Sequence, residues 1–202
     1  MRFALLTLAA VLSVGCVATP SGARLSMYQA GPEALMDFAA LKHKADTGEA
    51  AAQNELGQRY GTGKGIAKDS IMSFNYYNLS AAQGLAIAQC NLAFMYAQGE
   101  GTRKDLATAR QWYEKCAAQG HFMGEYALGY MYATANGVPK DGALAERWFT
   151  RAANQGYLAA QQALLHMYQS GDGVARDPAK AVLWLHRIRD ANLYGKVWKA
   201  QQ

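Results

Sequence analysis

The chain has 202 residues, of which 51% are hydrophobic and 17% are charged, and its formal net charge is +5. This length fits one medium domain or a short array of repeats. A composition with 20 Gly, only 4 Pro and many Ala and Tyr is typical of an ordered helical protein and argues against disorder. Because the charge is mild and no basic run occurs, nucleic acid is not an expected partner.

The N-terminus reads MRFALLTLAAVLSVGC, with Arg2 followed by twelve apolar or small residues. This run is too short to span a bilayer but fits the centre of a secretory signal, so residues 1–15 are predicted to be a signal peptide. The segment resembles a bacterial lipoprotein signal, which implies that Cys16 is lipidated. In such signals an Asp directly after the cysteine retains the protein at the inner membrane, and this chain has Val17 there. The resemblance therefore implies a periplasmic, lipid-anchored protein, held at the outer membrane.

Residues 16–33 are predicted to form the lipidated cysteine and a flexible tether, because they contain Pro, Gly and Ser without apolar periodicity. The next segment, residues 34–48, matches the second half of the repeat described below: Ala45 and Gly48 lie 36 residues before Ala81 and Gly84. It is predicted to be a half-repeat that caps the start of the array.

From there on, the chain repeats itself every 36 residues without a gap. Fixed-period similarity of this length is the signature of a solenoid. The predicted repeats cover about residues 52–87, 88–123, 124–159 and 160–192. The recurring positions are Leu56, Leu92, Leu128 and Leu164; Tyr60, Tyr96, Tyr132 and Tyr168; Gly65, Gly101, Gly137 and Gly173; Asp69, Asp105, Asp141 and Asp177; Tyr76, Trp112, Trp148 and Trp184.

Each repeat has the pattern of a helical hairpin. In the second repeat, Ala88, Leu92 and Tyr96 fall on one face of a first helix. Asp105 is a predicted N-cap of the second helix, and Gly120 ends it. Two short helices cannot bury their apolar stripes alone, whereas stacked hairpins can. The prediction is an all-α fold, an α-solenoid of four 36-residue helix-turn-helix repeats.

The fourth repeat is predicted to end at Asn192, since Asn often substitutes for Gly at a helix end. Residues 193–202, LYGKVWKAQQ, place Tyr194, Val197 and Trp198 on one helical face. They are predicted to form a short C-terminal capping helix.

The repeat units, seen in ALGYMYATANGVPKD and ARQWYEKCAAQG, resemble Sel1-like repeats, relatives of the tetratricopeptide class. The resemblance covers residues 34–192 and implies a helical solenoid that binds proteins. Departures from the pattern include Arg59 where the other copies carry Met, and Ala135 in place of the first loop glycine.

The stretch YGTGKGIAKD, residues 60–69, contains a glycine-rich loop with a lysine and raises the alternative of a phosphate site. The position of Lys64 is occupied by Glu100, Asn136 and Asp172 in the other repeats, which favours a turn between helices. The four histidines lack metal-ligand spacing, and no nucleophile signature occurs. We therefore predict no catalytic residue, no metal site and no cofactor.

Cys90 and Cys116 remain as an even pair if Cys16 carries lipid. They lie near the start of one helix and the end of the next in the same hairpin, where antiparallel packing makes them neighbours. A disulfide between them is one interpretation, and two unpaired core cysteines are the other. The related family uses disulfides in such hairpins.

A surface row on the first helices is the predicted partner-binding site. In the related tetratricopeptide class the first helices line a concave groove, and exposed aromatic residues beside amides are typical of protein-binding surfaces. The alternative is ordinary packing between neighbouring repeats. The predicted residues are Asn91, Phe94, Gln98, Tyr126, Tyr130, Thr134 and His166.

The sequence therefore predicts a non-enzymatic, lipid-anchored envelope protein that holds a partner protein in its concave groove. The resemblance implies an immunity or inhibitor protein, with a toxin as the partner, or an adaptor that binds an envelope regulator. The competing hypothesis is an enzyme that acts on β-lactams or binds cell-wall peptides, as has been associated with disulfide-rich relatives. The absence of a Ser-x-x-Lys motif argues against it.

Overall fold

The computed structural model describes residues 32–200, with the surroundings of side chains described for residues 37–190. Within the described part the chain forms nine α-helices and no strand, as predicted. The helices are α1 (Pro32–Asp46), α2 (Ala50–Thr62), α3 (Ser70–Ala82), α4 (Ala86–Gln98), α5 (Leu106–Ala118), α6 (Phe122–Thr134), α7 (Gly142–Asn154), α8 (Leu158–Ser170) and α9 (Pro178–Ala200).

The turn between the two helices of each hairpin has the same construction four times. The first helix ends at a residue in the left-handed conformation, which is Gly63, Gly99, Ala135 or Gly171. Further along the loop, the backbone N–H of the recurring aspartate donates to the carbonyl of the recurring tyrosine, as Asp69 does to Tyr60 at 2.9 Å. The glycines around Lys64 therefore form a helix-ending turn.

The repeated aspartates are N-caps of the second helices, as predicted. The Asp69 carboxylate accepts from the backbone N–H groups of Ile71 and Met72, both at 3.0 Å. Asp105, Asp141 and Asp177 accept from the first turn of their own helices in the same way. A side-chain oxygen at this position satisfies N–H groups that the helix itself leaves unpaired.

The core runs along the array because each repeat buries the same positions. Leu56, Leu92, Leu128 and Leu164 are at most 1% exposed. The second helix of each hairpin packs on the first helix of the next, so that α3 contacts α4, α5 contacts α6 and α7 contacts α8. The apolar stripes that one hairpin leaves open are covered by the following hairpin, which is the packing of a solenoid.

Helix α1 occupies the place of a second helix, as the predicted half-repeat requires. The Gln53 amide donates to the Ala45 carbonyl at 3.1 Å, a bond that Gln161 repeats with Ala153 at 3.2 Å. Arg59 lies where the other repeats bury Met, and its guanidinium contacts Asp37 of α1 at 2.8 Å. At the N-terminal end of the array, an ion pair with α1 thus takes the place of the buried methionine side chain.

The helix start differs slightly from the prediction, because α1 begins at Pro32, inside the predicted tether. Proline is favoured at the first position of a helix, where its missing N–H has no partner to lose. The predicted signal peptide, the lipidation site Cys16 and the rest of the tether lie outside the described residues. Among the helices that are described, none combines the length and the apolar character needed to cross a bilayer.

The predicted helix end at Asn192 is wrong, and so is the separate C-terminal capping helix. Helix α9 continues from Pro178 to Ala200 through this position. Asn tolerates the left-handed conformation less readily than Gly, and the adjacent Arg189, Ala191 and Leu193 are good helix formers. These helix formers outweigh the weak preference of Asn192, and the helix continues through it.

Candidate functional site

The predicted surface row lies on the exposed side of the first helices. Phe94 on α4 is 48% exposed and Tyr130 on α6 is 49% exposed, although both are large hydrophobic side chains. The next residue along each helix, Met95 or Met131, is buried in the core. Because successive helical residues point about 100° apart, the buried methionine fixes its neighbour toward solvent.

A recess of about 510 Å³ opens between α4 and α6. Five of the predicted binding residues line it, namely Asn91, Phe94, Gln98, Tyr126 and Tyr130. We call this recess the α4–α6 pocket. Its other lining residues are Cys90, Ala97, Leu106, Tyr113, Met123, Ala127, Met131, Asn136 and Tyr157.

A second recess of about 470 Å³, the α6–α8 pocket, lies one repeat further along. Thr134 and His166, the remaining predicted residues, line it together with Tyr126 and Tyr130. Since the two tyrosines border both pockets, the seven predicted residues belong to one groove that crosses three repeats. Other lining residues of the second pocket are Ala133, Phe149, Ala159, Gln162, Ala163, Met167 and Asp172.

Tyr126 forms the ridge between the pockets and is held by other rings. Its ring centroid lies 5.1 Å from that of Tyr157 in an edge-to-face arrangement and 5.5 Å from that of Phe149. Burial raises the pKa of the Tyr126 phenol and raises the pKa of Tyr113, at the base of the α4–α6 pocket, to about 12. Both phenols therefore stay neutral in ordinary buffers.

The polar side chains of the groove are amides and hydroxyls. Asn91 donates from Nδ2 to Asn54 Oδ1 at 3.0 Å, which orients its own Oδ1 as an acceptor. Thr134 donates back to the Tyr130 carbonyl at 2.7 Å, so its hydroxyl oxygen keeps an open acceptor position. Among residues 37–190, no partner hydrogen-bonds to the side-chain amide of Gln98 or of Asn136, although the backbone N–H of Asn136 donates to the Met131 carbonyl at 3.0 Å. The α4–α6 pocket thus offers unpaired amide groups beside aromatic rings.

Cys90 and Cys116 form a disulfide that joins α4 to α5, with their Cα atoms 5.6 Å apart. Both residues are buried, at 1% and 0% exposure. Cys90 also lies in the wall of the α4–α6 pocket. The bond therefore fastens α4, which carries Asn91, Phe94 and Gln98, to the helix behind it.

His121 adds a neighbour to this disulfide that the sequence spacing did not reveal. Its ring nitrogen and the two Sγ atoms lie within 4.8 Å of one another. The disulfide engages both sulfurs, and His121 Nδ1 accepts from the Met123 backbone N–H at the start of α6 at 3.4 Å. Burial lowers the pKa of the imidazole, which favours its neutral, accepting form.

The side walls of the groove contain residues that were not predicted from the sequence. Leu106 begins a second helix, Asn136 lies in a loop and Tyr157 precedes α8, yet all three line the α4–α6 pocket. The helical periodicity that predicts an exposed row applies only within a first helix, so it does not extend to residues of loops and second helices. The 36-residue period gives their positions in the repeat but not which of them reach the groove.

The sequence profile of the Sel1 repeat family matches residues 50–85, 86–121, 123–157 and 158–193. The chain is similar to a protective antigen that is present in uropathogenic Escherichia coli strains and displays an SLR fold. The two are 33% identical with a TM-score of 0.72, and the match covers 77% of this chain and 33% of that chain. A Sel1 repeat protein from Oxalobacter formigenes is 32% identical, with a TM-score of 0.69 over 78% of this chain and 68% of that chain. The present chain thus spans about a third of the length of the E. coli protein. No curated protein matches the chain.

The four matched segments coincide with the four hairpins of the structure, and each begins within two residues of a first helix. Sel1 repeat proteins are generally non-catalytic scaffolds, and this fold commonly acts as a protein-protein interaction module. Because the family's sequence profile matches all four hairpins, this chain belongs to the Sel1 repeat family.

Proposed function

We propose that this protein is a binding module of the bacterial envelope that holds a partner protein in the groove formed by α4, α6 and α8. The observation that carries the proposal is the exposure of Phe94 and Tyr130 on a recessed surface shared by two pockets. Large exposed aromatic residues in a well-formed recess provide the buried anchors that dominate protein-protein affinity.

A rigid stack of hairpins is well suited to binding a partner protein. The groove residues lie on helices whose opposite faces are fixed in the core, and the Cys90–Cys116 disulfide fastens α4 from behind. Side chains that are held in place before binding lose less entropy when the partner arrives. We propose that the partner is a toxin or an envelope regulator, which makes the protein an inhibitor or immunity protein, or a regulatory adaptor.

The envelope location in this proposal rests on the first sixteen residues of the sequence. A basic start, an apolar run and Cys16 support export followed by lipid anchoring at the outer membrane. In the full chain expressed in a bacterial host, incorporation of labelled palmitate is expected, and Cys16→Ser is expected to abolish it. Equal labelling of the variant and the parent would contradict lipid anchoring at this residue.

The binding role is tested with a double variant, Phe94→Ala with Tyr130→Ala, in affinity capture from envelope extract. The matched control is Leu79→Ala with Leu183→Ala, because these residues are 51% and 49% exposed but do not line the groove. We expect the groove variant to lose the captured partner and the control variant to keep it. Both variants should unfold within about 1 kcal/mol of the parent, since exposed side chains contribute little to stability.

Equal capture by both variants and the parent would show that the partner binds elsewhere. A large loss of stability in the groove variant alone would instead support the alternative that these aromatics are packing residues between repeats. Placing a photoreactive phenylalanine analogue at position 94, and in a separate variant at position 79, distinguishes direct contact from an indirect effect. Cross-linking to the partner is expected only from position 94.

A further inference from the structure

The α4–α6 pocket is uncharged, although the chain as a whole carries 20 basic and 15 acidic residues. None of its lining residues is Asp, Glu, Lys, Arg or His. Tyr113 and Tyr126, whose acidity burial suppresses, also remain neutral. A charged group that entered this pocket would lose hydration without gaining an opposite charge, which is costly. The side chain that enters must therefore be uncharged.

The rings indicate how large that side chain is. Phe94 lines the pocket from α4 and Tyr130 from α6, and the buried Tyr113 and Met131 line it together with the half-buried Met123. Aromatic and thioether groups gain most when they contact another large apolar group, because the gain scales with the apolar area removed from water. A volume of about 510 Å³ lies within the range of roughly 300–1,000 Å³ that is typical of ligand pockets. It accommodates a large side chain with part of its backbone.

The amides at the rim match a peptide backbone. Asn91 and Gln98 lie on α4, on either side of Phe94, and Asn136 lies across from them in the loop after α6. Each amide side chain offers both a donor and an acceptor, as each peptide unit does. An extended peptide can therefore place one side chain between the rings while its N–H and C=O groups bond to the rim.

The spacing of the two pockets sets the position of a second contact. The two pockets lie on either side of α6, whose Tyr126 and Tyr130 line both, so they are separated by about one helix diameter, roughly 10 Å. An extended chain rises about 3.3 Å per residue, so the α6–α8 pocket is reached about three residues after the anchor. That pocket has an apolar wall, which includes Phe149 and Met167, beside the polar side chains of Thr134, Gln162 and His166. Its Asp172 already pairs with Lys140 at 2.6 Å. The pocket therefore suits a side chain that ends in an uncharged polar group.

From these observations we infer that the groove recognises an extended peptide segment of its partner that carries a large, uncharged apolar anchor, of the size of Phe, Leu or Met, followed about three residues later by a polar side chain. The anchor enters the α4–α6 pocket and the polar residue enters the α6–α8 pocket. This inference rests on the proposed function of the groove and specifies the chemistry of its ligand.

The test uses a phage library of random twelve-residue peptides, selected on the 202-residue chain without its predicted signal peptide and counter-selected on Phe94→Ala with Tyr130→Ala. We expect the enriched peptides to share a large apolar residue with a polar residue about three positions later. In synthetic copies of such a peptide, measured by fluorescence anisotropy, replacement of the anchor by Ala is expected to weaken binding about tenfold or more. Replacement by Asp or Lys should weaken it at least as much.

Two equivalent positions supply matched variants of the protein. Ala127 lines the α4–α6 pocket, and Ala163, one repeat later, lines the α6–α8 pocket. Ala127→Phe is expected to fill the anchor site and abolish peptide binding, whereas Ala163→Phe should weaken binding only for peptides that carry the second, polar residue. Circular dichroism melts establish that both variants are folded.

The inference is overturned if the enriched peptides share a charged residue at the anchor, if binding falls steeply between 50 and 500 mM salt, or if no peptide distinguishes the parent from the counter-selected variant. The proposed function of the groove is tested by a separate measurement. Cross-linking of the intact partner from position 94 can persist when peptides do not bind, and that outcome refutes the extended peptide while the groove remains a protein-binding site.

Discussion

Replacing Gly101 by Ala is expected to destabilise the protein far more than the same change at Gly65, although the two glycines occupy the same place in adjacent repeats. Both have positive φ, +68° at Gly101 and +76° at Gly65, so both alanines carry the cost of the left-handed conformation. For L-residues that cost is about 1 kcal/mol. Any difference between the variants must therefore come from the surroundings of the new methyl group.

Those surroundings differ because Gly101 touches the preceding repeat. A Cβ at Gly101 would overlap the carbonyl oxygen of Ser70, in the first turn of α3, and would lie 2.6 Å from the carbonyl carbon of that residue and 3.1 Å from the Cβ of Phe74. At Gly65 nothing lies within 4 Å. Since carbon atoms make contact at about 3.5 Å, the first turn of α3 must move by about 1 Å to admit the methyl group.

Forced repacking of this kind costs about 1–3 kcal/mol, which brings the expected loss for Gly101→Ala to about 2–4 kcal/mol against about 1 kcal/mol for Gly65→Ala. In a chain of this size each kcal/mol lowers the Tm by roughly 2–4 °C. Urea unfolding and thermal melts followed by circular dichroism at 222 nm measure both changes. Equal losses at the two positions would refute the close contact between the turn of the second repeat and α3.

Three further outcomes are expected. The Cys90–Cys116 disulfide closes a span of 26 residues, so its reduction should lower the free energy of unfolding by about 3 kcal/mol. Thiol titration verifies complete reduction, and an unchanged Tm of the reduced protein would contradict this expectation. Asp69→Ala should cost about 1 kcal/mol and Asp69→Asn less than half of that, because Asn still caps α3; equal losses in urea unfolding would argue against capping. Burial lowers the pKa of His121 in the folded protein below its unfolded value of about 6.5. The contribution of His121 to the free energy of unfolding is therefore full above about pH 6.5 and falls as the pH decreases toward the lowered pKa. His121→Asn should reduce the drop in urea midpoint between pH 7.5 and pH 5, and an identical drop in the variant would exclude this histidine as its source.

The local construction of the repeats was predictable because it depends on residues close together in the chain. An aspartate at the start of a helix and a glycine at its end act on backbone groups within one turn of themselves. The aspartates therefore cap where the period predicted, as Asp69 does with Ile71 and Met72. The same reasoning failed at Asn192, where α9 continues, because a single residue with a weak preference does not outweigh the helix formers on either side.

The proposed binding surface was predictable only in part. The exposure of Phe94 and Tyr130 followed from the buried methionine beside each of them, a relation within one helix. The contributions of Leu106, Asn136 and Tyr157 to the α4–α6 pocket depend on how far loops and second helices reach over the first helices. That distance is set by the packing of whole hairpins, and no pattern along the chain records it.

By itself the sequence determined the all-α solenoid, the number of hairpins, their turns and caps, and the row of side chains on the open face of the first helices. Each of these depends on helical periodicity or on contacts within a few residues. Only the tertiary structure decided that the row borders two pockets joined by Tyr126 and Tyr130, and that His121 stands beside the Cys90–Cys116 disulfide. The volume and the neutral lining of a pocket are properties of the space between helices, and that space exists only once neighbouring repeats have packed.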